Sequence, residues 1–190
     1  GRNEQIQSVR WFDDLVIMVT FRQVDPLYAI DLTDTTAPRL LGKLKIPGYS
    51  SYLHPLGSWR MIGVGEGPVT DARGRRGWGA QLGLFNVRDV TKVKRLDVLD
   101  FGRNSSALAG ADPRAFTWLP RERTVLTVLE KYVGGRRVGY VSTVKIAGGQ
   151  LSQRLQQVEY GSDVDRVRAV PMPDGRVVLV TGETAQFFEL

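Results

Sequence analysis

Ser8-Val9-Arg10-Trp11-Phe12-Asp13-Asp14, followed at once by Leu15-Val16-Ile17-Met18-Val19, is the stretch on which the fold turns. It reads as a strand, a tight turn and a second strand. The second run is apolar at successive positions, the pattern of a strand covered on both faces. The same plan returns three times. Tyr52 to Ser58 precedes Trp59 to Val64, Ala115 to Arg123 precedes Thr124 to Leu129, and Val167 to Gly175 precedes Arg176 to Val180. Pro55-Leu56-Gly57 and Asp174-Gly175 punctuate two of these units. Proline presets φ near −65° and glycine accepts positive φ, so both are turn formers.

Each unit continues into a second pairing. Tyr28 to Thr36 leads into Arg39 to Leu44, and 55 residues later Leu84 to Thr91 leads into Lys94 to Leu99. Asp34 then matches Asp89 and Thr36 matches Thr91, which predicts turns whose side-chain oxygens take up free backbone N–H groups. In the third unit Tyr140 to Ile146 is followed by Gly148-Gly149 and Leu151 to Tyr160. Leu151, Leu155 and Val158 fall at helical spacing, yet the register puts this segment in a fourth-strand slot, and a strand is expected. The last unit stops after a third strand, Ala185 to Leu190.

The second strands begin at Leu15, Trp59, Thr124 and Arg176, 44, 65 and 52 residues apart. A four-stranded propeller blade takes about 40–50 residues. The long interval holds two excesses, Gly67 to Gly79 and Phe101 to Asp112; without them it returns to that range. The expected fold is therefore all-β: a β-propeller of about four blades, each of four antiparallel strands. A β-sandwich is the rival, but it does not require tandem four-strand units. As a single domain, residues 1–190 divide into blades near 6–46, 51–99, 114–160 and an incomplete 164–190.

Composition narrows the function. The 190 residues carry 26 basic and 20 acidic side chains, a net charge of +6, and no cysteine. Disulfides, thiolate metal sites and cysteine nucleophiles are excluded, and no apolar run approaches the roughly 20 residues of a membrane-spanning helix. The chain begins at Gly1 and runs from strand to strand, so it reads as a fragment of a longer protein and part of a larger propeller. Exposed terminal blade faces would then invite a partner, a second copy of the chain included.

Val9 to Leu15, Asp25 to Leu32, Pro38 to Ser50, Tyr52 to Leu56, Ile62 to Gly65 and Gly83 to Val90 together resemble a family of bacterial and archaeal secreted proteins. Its members carry a C-terminal β-propeller domain distantly related to WD40 repeats. Asn86 and Arg88 depart from the family's usual aspartate and serine. The resemblance is strong from Ile6 to about Leu99 and fainter beyond Ala115. It implies a propeller and export, to the cell surface or beyond. It brings no catalytic residues.

His54 is the only histidine; an inner-strand position would put it near an axial channel, where its near-neutral pKa suits acid–base work. No nucleophile elbow accompanies it, and an ordinary hydrogen-bonded histidine is the plainer reading. Asp163-Val164-Asp165 lacks the glycine and distant glutamate of a calcium loop and reads as an entry turn. Asp31, Asp34 and Asp89 read as turn residues rather than a glycosidase pair. Gly63-Val64-Gly65-Glu66-Gly67 lacks the Lys-Ser/Thr and helix of a phosphate loop. No metal or other cofactor is expected.

Gly67 to Gly79 is expected to be an inserted loop, and it carries Asp71, Arg73, Arg75 and Arg76, with Trp78 near its end. Arginines beside an aromatic suit anionic polymers and protein hot spots, whereas the plainer reading is a solvated hairpin tip. Lys92, Lys94 and Arg95 add charge on an outer strand. The leading expectation is a non-catalytic scaffold contacting a protein or cell-envelope polymer through Arg73, Arg75, Arg76 and Trp78. The alternative is a hydrolase or lyase in which His54 works with carboxylates from blades beyond this chain. Nucleic acid is the least favoured partner.

Overall fold

The computed structural model describes residues 4–21, 25–71, 73–160 and 163–190. Gly1, read above as a cut end, lies outside them. Four separate antiparallel sheets follow one another along the chain. The first orders β1 (Gln5–Phe12), β2 (Leu15–Phe21), β3 (Asp25–Asp31) and β4 (Arg39–Ile46). The second orders β5 (Tyr49–Pro55), β6 (Arg60–Thr70), β7 (Arg76–Asn86) and β8 (Lys94–Asp100). After a short strand, β9 (Ser105–Ala107), the third contains β10 (Phe116–Leu119), β11 (Thr124–Val133), β12 (Arg136–Ala147) and β13 (Gln150–Val158). The fourth has β14 (Arg168–Pro171), β15 (Val177–Val180) and β16 (Ala185–Phe188).

Local chemistry sets the turns. Asp34 accepts from the Thr36 N–H and hydroxyl at 2.9 and 2.6 Å, and Asp89 accepts from Thr91 at 3.0 and 2.5 Å. The matched positions 55 residues apart thus make the same turn. Gly134-Gly135 takes φ of 57° and 78° at both central positions of the β11–β12 hairpin. That conformation matches the twist of the flanking strands and excludes most side chains. Residues 150–158 form a strand, β13, because every one of them pairs with β12 in register. The aliphatic residues at helical spacing yield to that pairing. Asp163 caps a one-turn helix, Val164–Arg166, at the entry to the fourth sheet.

The sheets stack like blades around an axis. Their first strands are neighbours: Ser8 on β1 donates its hydroxyl to the Ser50 carbonyl on β5 at 2.8 Å. His54 on β5 stacks against Phe116 on β10 at 4.8 Å, and Thr117 on β10 donates to the Ala169 carbonyl on β14 at 2.7 Å. Three apolar cores fill the wedges between successive sheets. Ile17, Val19 and Leu27 meet Leu53, Met61 and Phe85 between the first and second. Ile62, Val64 and Leu82 meet Val125, Leu129 and Val144 between the second and third. Leu126, Val128 and Val141 meet Val167, Val177 and Leu179 between the third and fourth.

Adjacent residues of one strand therefore belong to different cores. Met61 faces the first sheet and Ile62 the third; Val125 faces the second sheet and Leu126 the fourth. This is the period-two alternation of a strand with both faces dry. Among the described residues no core joins the first sheet to the fourth. Their outward faces carry apolar rows: Trp11, Val16, Ile30 and Leu40 across the first, and Val170, Val178 and Phe187 across the fourth.

One expectation is corrected. Gly67 to Gly79 is not a loop along its length, because Gly67–Thr70 continue β6 and Arg76–Gly79 open β7 in register. Only the tip from Asp71 to Arg75 is turn, and Ala72 lies outside the described residues. Arg95 lies on the outer strand β8, as expected. It is half-buried in the wedge with Gly83 and Phe85, and burial lowers its pKa.

Met61→Ala and Ile62→Ala test the stacking, since both residues are fully buried on opposite faces of β6. Each change is expected to cost about 2–5 kcal/mol in denaturant unfolding. A two-layer sandwich predicts a large loss for one and little for the other.

Candidate functional site

Two places gather polar and aromatic groups. The first lies on the inner strands. Tyr52 Oη lies 3.1 Å from His54 Nδ1, Phe116 covers the imidazole, and the Arg10 guanidinium sits 4.8 Å from the centre of the Tyr52 ring. Burial, and secondarily the Arg10 charge, pushes the His54 pKa below its ordinary 6.5. Among the described residues no carboxylate bonds to the imidazole and no acid–histidine group has the makings of a metal centre. His54 is an interblade packing residue with one hydrogen bond.

The second place is built from the two segments in excess of the repeat. β6 and β7 run on past their neighbours, since β5 ends its pairing at Glu66 and β8 begins its own at Gln81. The extension, Gly67–Thr70 against Arg76–Gly79, is a two-stranded ribbon. Pro68 is tolerated there because no third strand needs its missing N–H. An unsupported ribbon is marginal in water. The Phe101–Ser105 segment buttresses it: the Phe101 N–H donates to Ala80 at 3.0 Å, and the Asn104 N–H to Trp78 at 3.3 Å. Ser105 Oγ accepts the Ala80 N–H at 3.0 Å. Gly79 makes this approach possible, for a Cβ there would stand 2.1 Å from the Gly102 carbonyl oxygen.

β9 then pairs with Leu129–Lys131 of β11, which brings the third sheet's own extended hairpin alongside. Between ribbon and hairpin lies an open cleft of about 340 Å³ lined by Glu66, Trp78, Gly79, Asn104, Ser105, Ser106 and Tyr132. Trp78 and Tyr132 are 43% and 58% exposed, large for aromatics in a strand. The Trp78 indole N–H donates to Glu66 Oε2 at 3.2 Å and the Ser106 hydroxyl to Oε1 at 3.3 Å. Glu66 also faces Tyr49. Burial, together with that carboxylate's charge and hydrogen bond, raises the Tyr49 pKa. Lys131, half-buried with its ammonium 5.3 Å from the Tyr140 ring centre, has its pKa lowered by burial while Asp100 opposes the shift.

The arginines divide. Arg75 is held: its guanidinium donates to Asp71 Oδ2 at 2.7 Å, and Asp71 Oδ1 takes the N–H groups of Arg73 and Arg75 at 3.0 and 2.9 Å. The backbone bond from Arg75 leads the causes that keep Asp71 below the usual carboxylate range. Arg73 and Arg76 are exposed, and no ion pair engages either among the described residues. Trp78 alone of the four sequence candidates lines the cleft. Glu66 and Tyr132 were missed. Glu66 sits inside the glycine string set aside as a failed phosphate loop, and Tyr132 is an aromatic just before Gly134-Gly135, a position with no signal until the hairpins converge.

His54 offers a clean test as the only histidine. Its imidazole resonances are expected to titrate with a midpoint below 6.5, and Arg10→Ala is expected to raise that midpoint. The unfolded chain binds the extra proton first, so this group's contribution to stability is whole above pH about 6.5 and falls as pH drops through the folded midpoint. A midpoint at or above 6.5 contradicts the burial described.

Two archaeal proteins, both described as uncharacterized, are similar to this chain: one from Methanocaldococcus jannaschii and one from Archaeoglobus fulgidus. Each is 41% identical over 96 residues, a match that takes in 50% of this chain and 14% of the relative. The chain thus spans a small part of the length of these relatives. Among solved structures, a chain in a complex of S. cerevisiae Dbp5 with Nup159 and Gle1 overlaps 97% of this chain and 60% of its own length. Its identity is 12% and its TM-score 0.33, too low to carry any argument. The family model for a beta propeller domain matches residues 1–175, in keeping with four sheets stacked through three shared cores, and the chain belongs to that family.

Proposed function

We propose that this chain is the binding scaffold of an exported or surface-attached protein, and that it holds a cell-envelope polymer or a protein in the cleft between Trp78 and Tyr132. One observation carries the reading. Two segments that exceed the repeat plan, Gly67 to Gly79 and Phe101 to Asp112, fold against each other and leave Trp78 facing water in one cleft with Tyr132 of β11. Exposed aromatic area in a concave site is expensive to leave hydrated, and it is the usual anchor of recognition. Arg73 and Arg76 at the ribbon tip extend the surface toward anionic groups. Export is supported by the resemblance of residues 6–99 to secreted proteins. Among the described residues no helix is long and apolar enough to cross a membrane.

Retention of purified cell-envelope polymer on the immobilised chain tests this. Trp78→Ala with Tyr132→Ala is expected to weaken retention roughly tenfold or more with little change in melting temperature, because both rings are partly exposed. Arg73→Ala with Arg76→Ala is expected to weaken it less, and more so at low salt. Retention unchanged in all four substitutions overturns the reading.

A further inference from the structure

We propose that the occupant of the cleft is a glycan, with a pyranose ring laid against Trp78 and its hydroxyls on Glu66 and Asn104. The inference rests on the reading of the cleft as the binding surface and adds the chemical class. A pyranose is two-sided: its axial C–H bonds make an apolar face, and its equatorial hydroxyls make a polar rim. The apolar face needs a flat ring whose negative π surface meets electropositive hydrogens. Trp78 supplies one in a fixed orientation, since its indole N–H is tied to Glu66 and its backbone carbonyl to Asn104. A ring already immobilised loses little freedom on binding. Tyr132, 58% exposed, lies on the other hairpin and offers a second ring.

The rim needs acceptors and donors held in place. Glu66 is half-buried, and it takes three neutral donors, Trp78 on one oxygen, Ser106 on the other, and the Tyr49 hydroxyl. A carboxylate accepts about four hydrogen bonds, so one site remains for a sugar hydroxyl. The Asn104 side chain is exposed and has no hydrogen bond among the described residues. Its backbone is held in the left-handed region, φ 54°, by bonds to Trp78 and Tyr132, so the amide is presented rather than free to swing. The amide adds a donor pair and an acceptor beside the carboxylate. The cleft, about 340 Å³, lies at the low end of the roughly 300–1,000 Å³ usual for small-ligand sites.

Charge argues against the other ligand that aromatic rings and a carboxylate attract, a cationic side chain. Arg76 stands two residues before Trp78 on the same face of β7, with no ion pair among the described residues, and Arg103, whose Nη1 lies 3.8 Å from Asp71 Oδ2, packs beneath Gly77 with its Nε buried and without a hydrogen bond. These cations repel an ammonium or guanidinium ligand. They accept a neutral sugar and favour one bearing carboxylate or sulfate.

Titration of the full chain with cellohexaose, chitohexaose, a galacturonic acid hexamer and hexalysine, followed by tryptophan fluorescence and calorimetry, decides the matter. At least one saccharide is expected to bind, with affinity falling roughly tenfold or more in Trp78→Ala and in the near-isosteric Glu66→Gln. Arg76→Ala is expected to weaken only the acidic hexamer. Melting temperatures check that each variant is folded. Saccharide binding that is indifferent to Trp78 and Glu66 overturns the assignment. So does hexalysine binding without saccharide binding, or no saccharide binding at millimolar concentration. If envelope-polymer retention still depends on Trp78 in those last cases, the cleft remains the binding surface and only its glycan chemistry falls.

Discussion

The structure depends on strands that have no wet face. β6 sends Met61 into one core and Ile62 into another, and β11 does the same with Val125 and Leu126. A strand of this kind is stable only with a sheet on either side, so the second and third sheets each require two neighbours and the units must be stacked in series. Loss of one wedge exposes apolar surface on two sheets at once, which ties the four units into one cooperative body although, among the described residues, no strand ladder joins one sheet to the next. The polar ties between sheets are few and local, such as Ser8 to Ser50 and Thr117 to Ala169 on the inner strands. They set the register of one sheet against the next, while apolar burial supplies the cohesion.

A fold repeated so regularly leaves function to its irregularities. Between the second and third sheets the repeat is broken twice, by a lengthened hairpin and by a lengthened connection. Each is weak alone: the ribbon lacks outer partners, and the connection has only three strand residues, Ser105–Ala107, of its own. Packed together they satisfy one another's backbone groups, with Gly79 permitting contact too close for a side chain. The cleft follows from that mutual support, and its aromatic walls are the ends of the two hairpins.

The strand grammar, the turn residues and the double-sided apolar runs were all readable in one dimension because each is a local or period-two property. The matched pairs Asp34–Thr36 and Asp89–Thr91 did form the same turn, since an aspartate needs only residues two positions away to cap it. The arginine-rich segment was read with less success. It reads as a loop because it exceeds the repeat spacing and is rich in glycine, a poor strand former, but cross-strand pairing from Gly67–Gly79 to Thr70–Arg76 overrides that preference. Arg75, prominent by charge, is spent on Asp71, and His54, prominent by rarity, is enclosed by Tyr52 and Phe116.

Architecture and site thus come from different ranges of interaction. Alternation of side chains along a strand is encoded residue by residue, so the all-β plan, the serial sheets and the two excess segments were present in the order of amino acids. The meeting of Glu66 with Ser106, 40 residues apart, and of Trp78 with Tyr132 across two sheets has no local signature. Those contacts arise because stacking places consecutive hairpins side by side. Folding in three dimensions therefore made a cleft from an unremarkable glutamate, a tyrosine and a tryptophan.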